Sequence, residues 1–509
     1  MKKLITFALC MIMLLSIFAV PAYADNPTVQ TSFTPDPAPM VHDGVFYFYT
    51  GHDADNASYY EMIEWRCYSS TDMKNFTDHG GVLSWEDFEW AEKDSCWAAQ
   101  CVERNGKFYF YVTLTMNEKY SKIFGGGRAI GVAVSDSPTG PFEDALGKPL
   151  FGGHWEYIDP TVLIDDDGQA YLYWGNPNLY WCKLKEDMIT PDGDVQMMTM
   201  DGKSFGSNEN MACIYTEGPW IYKRNNLYYM IYAASGVPES LDYATAKSPI
   251  GPWTYGGRIM DQHPTSFTLH PGVVEYEGRA YLSYHTGDLP GGGGFSRSGA
   301  IEEFTFGADG SIPHITPTRE GPEQIRYFNP YNKTEAATMA WSEGLKVGES
   351  ENVGVYLTKI SKGDYLKVSG VQFSKGATKF SASVSAPMNE GIVELRLDSK
   401  DGELIGRLTV PVTGDVEEWV EVSCDISGAE GVHDLYMVFD YEETNKKSVN
   451  IDWWQFEGEA DPADYPEPEA GETLPTASES NDTLPVALAV VGAAAIIVIM
   501  LLVFTRKKQ

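Results

Sequence analysis

Basic residues and cysteines are both scarce in this chain. Of its 509 residues, 37 are Lys or Arg and 72 are Asp or Glu, a formal charge of −35. A surface of this charge repels phosphate, which argues against nucleic-acid binding and favours a neutral ligand. The 7 cysteines include no CxxC pair, so neither a structural zinc site nor a disulfide scaffold is supported. Buried free thiols and one or two disulfides both remain open.

Long apolar runs are absent except at the two ends. Residues 1–24 start with two lysines, continue through an apolar run and end in Ala-Tyr-Ala, which predicts a secretory signal peptide. Residues 484–505 carry no charge and precede the basic tail 506–509, which predicts a C-terminal transmembrane helix with a cytoplasmic tail. A variant cell-wall sorting signal is the alternative. The acidic residues 459–483 predict an extended linker, and the whole layout predicts anchoring on the extracellular face of a Gram-positive cell.

Aromatic residues and glycines, in contrast, are abundant, with 13% aromatics and 49 Gly. Five segments repeat one pattern, a short apolar strand, a polar turn and an aromatic-rich strand, which is typical of a β-hairpin. Five such units predict an all-β fold with a five-bladed β-propeller over residues 25–325, and a large β-sandwich is the alternative. The segments are residues 36–51, 98–113, 159–175, 217–233 and 270–286.

The residue that opens each repeat should lie near the axis of the propeller, where the innermost strands begin. Three of these residues are carboxylic acids, and two carboxyl groups with separated pKa values suffice for glycoside hydrolysis. A third acid nearby can hold the general acid's pKa up by repulsion of like charge. Aromatic rings such as Trp97, Trp174 and Trp220 could stack on sugar faces, and packing within the blades is the alternative for each. The five opening residues are Asp36, Ala98, Asp159, Glu217 and His270.

These motifs resemble glycoside hydrolase family 43, over roughly residues 30–320. The resemblance implies that Asp36 is the general base, that Asp159 tunes the pKa and orients, and that Glu217 is the general acid of an inverting mechanism. The base and the acid should then be roughly 6.5–9.5 Å apart. The propeller families that attack fructosides carry Arg before the second Asp-Pro, whereas Ile158 stands there in this chain, which argues against fructan chemistry.

The resemblance also implies roles for three further residues. Trp97 would line the sugar subsite, and His270 would hold a water or possible calcium in the channel, although the chemistry requires no cofactor. Residues 291–315 resemble the arabinoxylan arabinofuranohydrolase branch, in which Arg297 would contact the sugar.

Residues 326–458 have the alternating short strands of a β-sandwich, or jelly roll. Segments 363–368, 395–406, 431–439 and 450–456 resemble carbohydrate-binding module family 6. By that resemblance Trp419, Asn450 and Tyr356 would bind sugar. The family's opening Glu-Ala-Glu is replaced here by residues 335–337, Glu-Ala-Ala, which puts the module's calcium in doubt.

The sequence therefore predicts a monomeric, inverting glycosidase that removes L-arabinofuranose from arabinoxylan at the cell surface. β-Xylosidase or arabinanase activity on the same scaffold is the nearest alternative. A non-catalytic surface lectin and a structural adhesin are more distant ones.

Overall fold

The computed structural model describes residues 25–440 and 449–465. The predicted signal peptide (1–24), the transmembrane segment (484–505), the tail (506–509) and residues 466–483 of the predicted linker lie outside the described residues.

The N-terminal part of the described chain consists of antiparallel sheets, because each repeat supplies strands whose apolar residues can be buried on both faces. The first sheet contains β1 (Ala38–His42), β2 (Val45–Asp53), β3 (Met62–Ser70) and β4 (Phe76–Ser84). The second contains β5 (Trp97–Arg104), β6 (Lys107–Thr115), β7 (Arg128–Ser135), β8 (Glu143–Asp144) and β9 (Phe151–Gly152).

Three further sheets follow in chain order. The third contains β10 (Thr161–Ile164), β11 (Ala170–Trp174), β12 (Tyr180–Leu184) and β13 (Gln196–Met197). The fourth contains β14 (Tyr215–Arg224), β15 (Leu227–Ala234), β16 (Ser240–Ala246) and β17 (Thr254–Met260), and the fifth β18 (Gly272–Tyr276), β19 (Arg279–Thr286) and β20 (Ser298–Phe304). Two short helices, α1 (Glu118–Phe124) and α2 (Gly202–Phe205), and a 3-10 turn at Trp85–Asp87 lie in the connections.

The five sheets are joined through their first strands. β1 contacts β5 and β18, β10 contacts β5 and β14, and β14 contacts β18. This closed ring of five is the arrangement of a five-bladed β-propeller, which leaves few exposed sheet edges. The hairpin that opens the first blade turns at Asp43-Gly44 and the one that opens the second at Asn105-Gly106, all with positive φ. That is the geometry of the two-residue turns that match strand twist.

The C-terminal part is a sandwich of two antiparallel sheets packed over one core, which includes Trp454, Phe380 and Phe456. One sheet contains β21 (Thr334–Glu335), β24 (Lys346–Ser350), β25 (Gly354–Thr358), β27 (Ala377–Ser385), β30 (Val420–Asp425) and β32 (Asn450–Gly458). The other contains β23 (Trp341–Glu343), β26 (Tyr365–Gln372), β28 (Gly391–Leu397), β29 (Glu403–Val410) and β31 (Val432–Asp440).

The sandwich is continuous with the first blade. The short strand β22 (Thr338–Met339) pairs with the edge strand β4. Beside it, the buried Arg66 guanidinium donates to Asp78 of the propeller and to Glu349 of the sandwich, each at 3.1 Å. At the far end, a 3-10 turn at Pro462–Asp464 leads to Tyr465, whose hydroxyl donates to the carbonyl of Gln372. The predicted linker thus begins as a segment packed on the sandwich.

Two sequence-based expectations change on this evidence. The predicted fold class ended in a transmembrane helix, and the described part of the chain does not contain one. Among residues 25–440 and 449–465 no helix has the length and apolar character needed to cross a membrane, since α1 has 7 residues and α2 has 4. The question of disulfides is settled for the six described cysteines, all of which are free thiols.

Candidate active site

The residues that open the five repeats meet at one cavity of about 250 Å³. Asp36, Ala98, Asp159, Glu217 and His270 all line it. A larger cavity of about 410 Å³ lies where the propeller meets the sandwich, but none of the five lines it. The smaller cavity is therefore the candidate active site.

Asp36 and Asp159 adopt the same unusual backbone conformation. Their φ angles are +53° and +57°, in the left-handed region, where the Cβ of an L-residue crowds the backbone. Each is followed by proline, which restricts the preceding residue further. Two strained aspartates at equivalent places of two blades indicate that the fold holds both carboxyls in a set direction.

Asp36 is held as a carboxylate. Its Oδ1 accepts a hydrogen bond from Arg297 Nη1 at 2.9 Å and lies 3.3 Å from His285 Nδ1. Burial alone would raise its pKa, but the Arg297 guanidinium, assisted by His285, holds the pKa well below its usual range. Both partners engage Oδ1, so Oδ2 is the oxygen that they leave for a water.

Arg297 is fixed by a second aspartate. Its Nε and Nη2 donate to Oδ2 and Oδ1 of Asp53 at 3.0 and 2.9 Å. This is the two-bond geometry in which arginine binds carboxylate most specifically. Arg297 is 3% exposed and Asp53 0%. The structure thus pairs Arg297 with Asp36, and the predicted contact with the sugar stays a prediction.

Asp159 accepts a hydrogen bond from the backbone next to Glu217. Its Oδ2 accepts from the backbone N–H of Gly218 at 2.9 Å, and its own backbone N–H donates to Thr113 Oγ1 at 2.9 Å. Burial, reinforced by the negative charges of Glu217 and Asp36, raises its pKa well above the usual value.

Glu217 lies on an irregular stretch of β14. The pairing of β14 with β15 shifts register on both sides of Glu217, and such bulges redirect a side chain away from the regular pleat. Gly218 follows with φ +57°, and a Cβ there would lie 3.1 Å from His270 Nδ1. Asn176 donates its amide N–H to Glu217 Oε2. Glu217 is only partly buried, so its carboxyl is open to the cavity.

His270 is a buried imidazole that resists protonation. Burial lowers its pKa to about 4, against the opposing effect of Asp36. Calcium takes six to eight oxygen ligands. Within the described ranges no cluster of three or more His, Cys, Asp and Glu side chains could hold a metal ion. Calcium in the channel beside His270 stays a prediction.

Aromatic residues form the wall and rim of the cavity. Trp97 lines it as predicted, with Arg128 lying 4.1 Å above its ring and an indole N–H that has no partner among the described residues. Trp155, 56% exposed, stands at the rim. The expectation that Trp174 and Trp220 stack on sugars is wrong, because the first is 0% and the second 4% exposed within the blades.

Several residues of the site carry no motif that sequence reasoning could use. Asp53 and His285 lie within aromatic strands, Arg128 is the first residue of β7, Asn176 lies in a connection, and Glu239 lies in a turn. Each reaches the site through tertiary structure alone.

The sandwich carries its own cluster of aromatic residues. Tyr356 and Trp419 lie edge to face with ring centroids 5.3 Å apart. The third predicted sugar ligand, Asn450, is 2% exposed and donates its amide N–H to Ser385 Oγ at 2.9 Å. Its contact with sugar stays a prediction.

The module's calcium also stays a prediction. Asp452 is buried and Glu335 is exposed. Partial burial of the carboxyl, followed by the charge of Asp452, raises the pKa of Glu335. Ala337 supplies no ligand, and the nearby charge of Lys333 opposes that rise in pKa. The two carboxylates supply only part of the six to eight oxygen ligands that calcium takes.

Two family models match the chain. Residues 24–312 match glycosyl hydrolases family 43, and residues 335–458 match carbohydrate binding module family 6. Both resemblances predicted from the motifs are thereby confirmed.

Known proteins match either most of this chain or little more than half of it. An arabinoxylan arabinofuranohydrolase of Bacillus subtilis (strain 168) is 32% identical over 85% of this chain and 92% of its own. A xylosidase/arabinosidase of Bacteroides ovatus is 32% identical over 56% of this chain and 95% of its own.

Among solved structures, the complex of a Bacillus subtilis family 43 arabinoxylan arabinofuranohydrolase with cellotetraose is also similar. It has a TM-score of 0.72 at 29% identity and covers 85% of this chain and 97% of its own.

Proposed function

This chain belongs to glycosyl hydrolases family 43, and we propose that it is an inverting hydrolase that releases L-arabinofuranose side chains from arabinoxylan. The observation that carries the proposal is the contrast between two carboxyl environments in one cavity. Asp36 is tied to a guanidinium and kept ionised, whereas Glu217 faces an amide and other acids. Separated environments of this kind divide the roles of base and acid.

The chemistry follows from these environments. The Asp36 carboxylate accepts a proton from water, whose oxygen attacks the anomeric carbon. Glu217 gives its proton to the glycosidic oxygen as the bond from the anomeric carbon to that oxygen breaks. One water is consumed, and the two carboxyl groups exchange protons with solvent before the next turnover. Asp159 keeps Glu217 in place through the N–H of Gly218.

The choice of substrate rests on similarity across both domains. The relative that matches propeller and sandwich together is named for arabinoxylan, and the sandwich belongs to a family of carbohydrate-binding modules. We propose that Tyr356 and Trp419 hold the polysaccharide through ring stacking while the propeller removes its branches. A polymer of this kind is met outside the cell, so we propose extracellular action.

A second activity is favoured by one observation. The Bacteroides ovatus relative, which matches 56% of this chain, is named xylosidase/arabinosidase. β-Xylosidase activity in the same cavity is therefore the alternative. Rates on aryl arabinofuranoside and aryl xyloside separate the two.

The test is arabinose release from arabinoxylan by the full chain and by Asp36→Ala and Glu217→Ala. Loss of base or acid should reduce the rate by at least about a hundredfold. Glu209→Ala, at an exposed position in the same part of the chain, is the matched control and should act like wild type. Undiminished release by either active-site variant would contradict the proposal.

A further inference from the structure

A fourth carboxyl lies behind the cavity wall, beside the proposed acid. Glu239 ends the turn between β15 and β16 and is 0% exposed. The turn contains Ser235 and Gly236, both with positive φ, and Val237, which lines the cavity. The backbone N–H of Glu239 donates to the carbonyl of Phe267 at 3.0 Å. This hydrogen bond fixes the backbone that carries the Glu239 side chain.

The two oxygens of Glu239 have different partners. Oε2 accepts from the backbone N–H of Leu269 at 2.8 Å. Oε1 is buried and receives no hydrogen bond from any donor among residues 25–440 and 449–465. The group within hydrogen-bonding contact of this carboxyl is Glu217, which is itself a carboxyl. Two carboxyl groups in contact are stable when at least one of them is protonated and can donate to the other.

The charges around Glu239 favour the protonated form of its own carboxyl. The groups that face it are Glu217 on β14, Asp159 at the start of the third blade, and the Tyr60 hydroxyl from the first blade. None of them is a cation. Burial in the first place, and then the negative charge of Glu217, raises the pKa of Glu239 well above its usual value. These surroundings therefore favour the neutral form of Glu239, which carries an O–H.

We propose that Glu239 is a positioning residue for Glu217, whose neutral carboxyl donates its O–H to Glu217 and stabilises the carboxylate that forms there during catalysis. The inference rests on the proposed function, because it takes Glu217 as the acid. In the reaction the proton of Glu217 passes to the glycosidic oxygen as the glycosidic bond breaks. Glu239 keeps its own proton throughout. A fixed donor aimed at a charge that develops in the transition state lowers the barrier without reorganising.

The test compares two variants on two substrates. Glu239→Gln keeps an acceptor for Leu269 and an N–H donor for Glu217, whereas Glu239→Ala removes both. The substrates are an arabinose-substituted xylo-oligosaccharide, whose leaving alcohol needs protonation, and 2,4-dinitrophenyl arabinofuranoside, whose leaving group departs without it.

A hydrogen bond to a charged group leads us to expect Glu239→Ala to lower kcat on the oligosaccharide about tenfold to a hundredfold. On the dinitrophenyl substrate it should change kcat by less than about threefold, because the general acid contributes little there. Glu239→Gln should stay within about threefold of wild type on both substrates.

Three results would overturn the inference. An equal loss on both substrates in Glu239→Ala would indicate a merely structural role. No loss on either would show that the donor is dispensable. A loss in Glu239→Gln as large as that in Glu239→Ala would show that a charged carboxylate is needed. Failure of the proposed function looks different, because wild type itself would then release no arabinose from the oligosaccharide.

Discussion

Replacing Arg297 should move the acid side of the pH–activity profile upward. Arg297→Met removes the guanidinium whose Nη1 lies 2.9 Å from Asp36 Oδ1 while keeping a side chain of similar length. Burial is then left as the main influence on Asp36, and burial raises the pKa of a carboxyl. The base would be protonated, and the enzyme inactive, at pH values where the wild type still works.

The size of the effect follows from the charge separation. Two unit charges about 4 Å apart at an effective dielectric of about 20 attract by about 4 kcal/mol, equivalent to about three pKa units. We expect the acid limb of kcat/KM to rise by about one to three pH units. The same lowered pKa also makes the stability of the fold depend on pH. The depressed pKa of Asp36 stabilises the fold above its unfolded value of 3.8, and that stability is lost as the pH falls through the folded value.

The assay is kcat/KM on an aryl arabinofuranoside across the acid range, with circular dichroism at each pH to establish that the variant is folded. Arg297→Lys, which keeps a positive charge but loses the paired hydrogen bonds to Asp53, is the matched control. Its limb should move less than that of Arg297→Met. An unchanged acid limb in folded Arg297→Met would refute the reasoning.

Two further predictions concern Gly218 and the sandwich. Gly218→Ala places a Cβ 3.1 Å from His270 Nδ1 at φ +57°, and should lower kcat at least about tenfold by displacing Glu217. Gly278→Ala is the control, because Gly278 has φ +73° and no neighbour within 4 Å of an added Cβ, and it should keep full activity. An equal loss of kcat in both variants would show that backbone strain, and not the contact with His270, causes the loss. Trp419→Ala should weaken binding to insoluble arabinoxylan about tenfold while leaving hydrolysis of an aryl arabinofuranoside unchanged. Leu404→Ala, at an exposed position on the other sheet, is its control. Unchanged binding of Trp419→Ala to insoluble arabinoxylan would contradict a sugar-binding site at Trp419.

The parts of the molecule that the sequence predicts are those that repeat. Hairpin patterns recur through the propeller, and their opening residues meet at one cavity because equivalent strand ends surround one axis. The linkage of Asp36 to Asp53 through Arg297 could not be predicted, because it joins residues far apart in the chain whose types have no fixed spacing. The same holds for Glu239, which sits in a turn where glutamate is ordinarily exposed.

Two errors have physical causes. Trp174 was expected to meet sugar because aromatic residues often do, but its strand is buried on both faces and the ring stacks on Phe151 at 4.7 Å. Composition predicted an extended linker from residue 459, whereas Tyr465 and its neighbours find hydrogen bonds on the sandwich. In both places tertiary packing overrides a local signal.

The stereochemistry of the first product tests the central claim most directly. Proton NMR during the first minutes of hydrolysis of an arabinose-substituted xylo-oligosaccharide distinguishes the anomers of free arabinose before they equilibrate. A base that activates water opposite the acid inverts the anomeric carbon, so α-linked arabinofuranose should appear first as the β anomer. Initial appearance of the α anomer would contradict the assignment of Asp36 as the base that activates water.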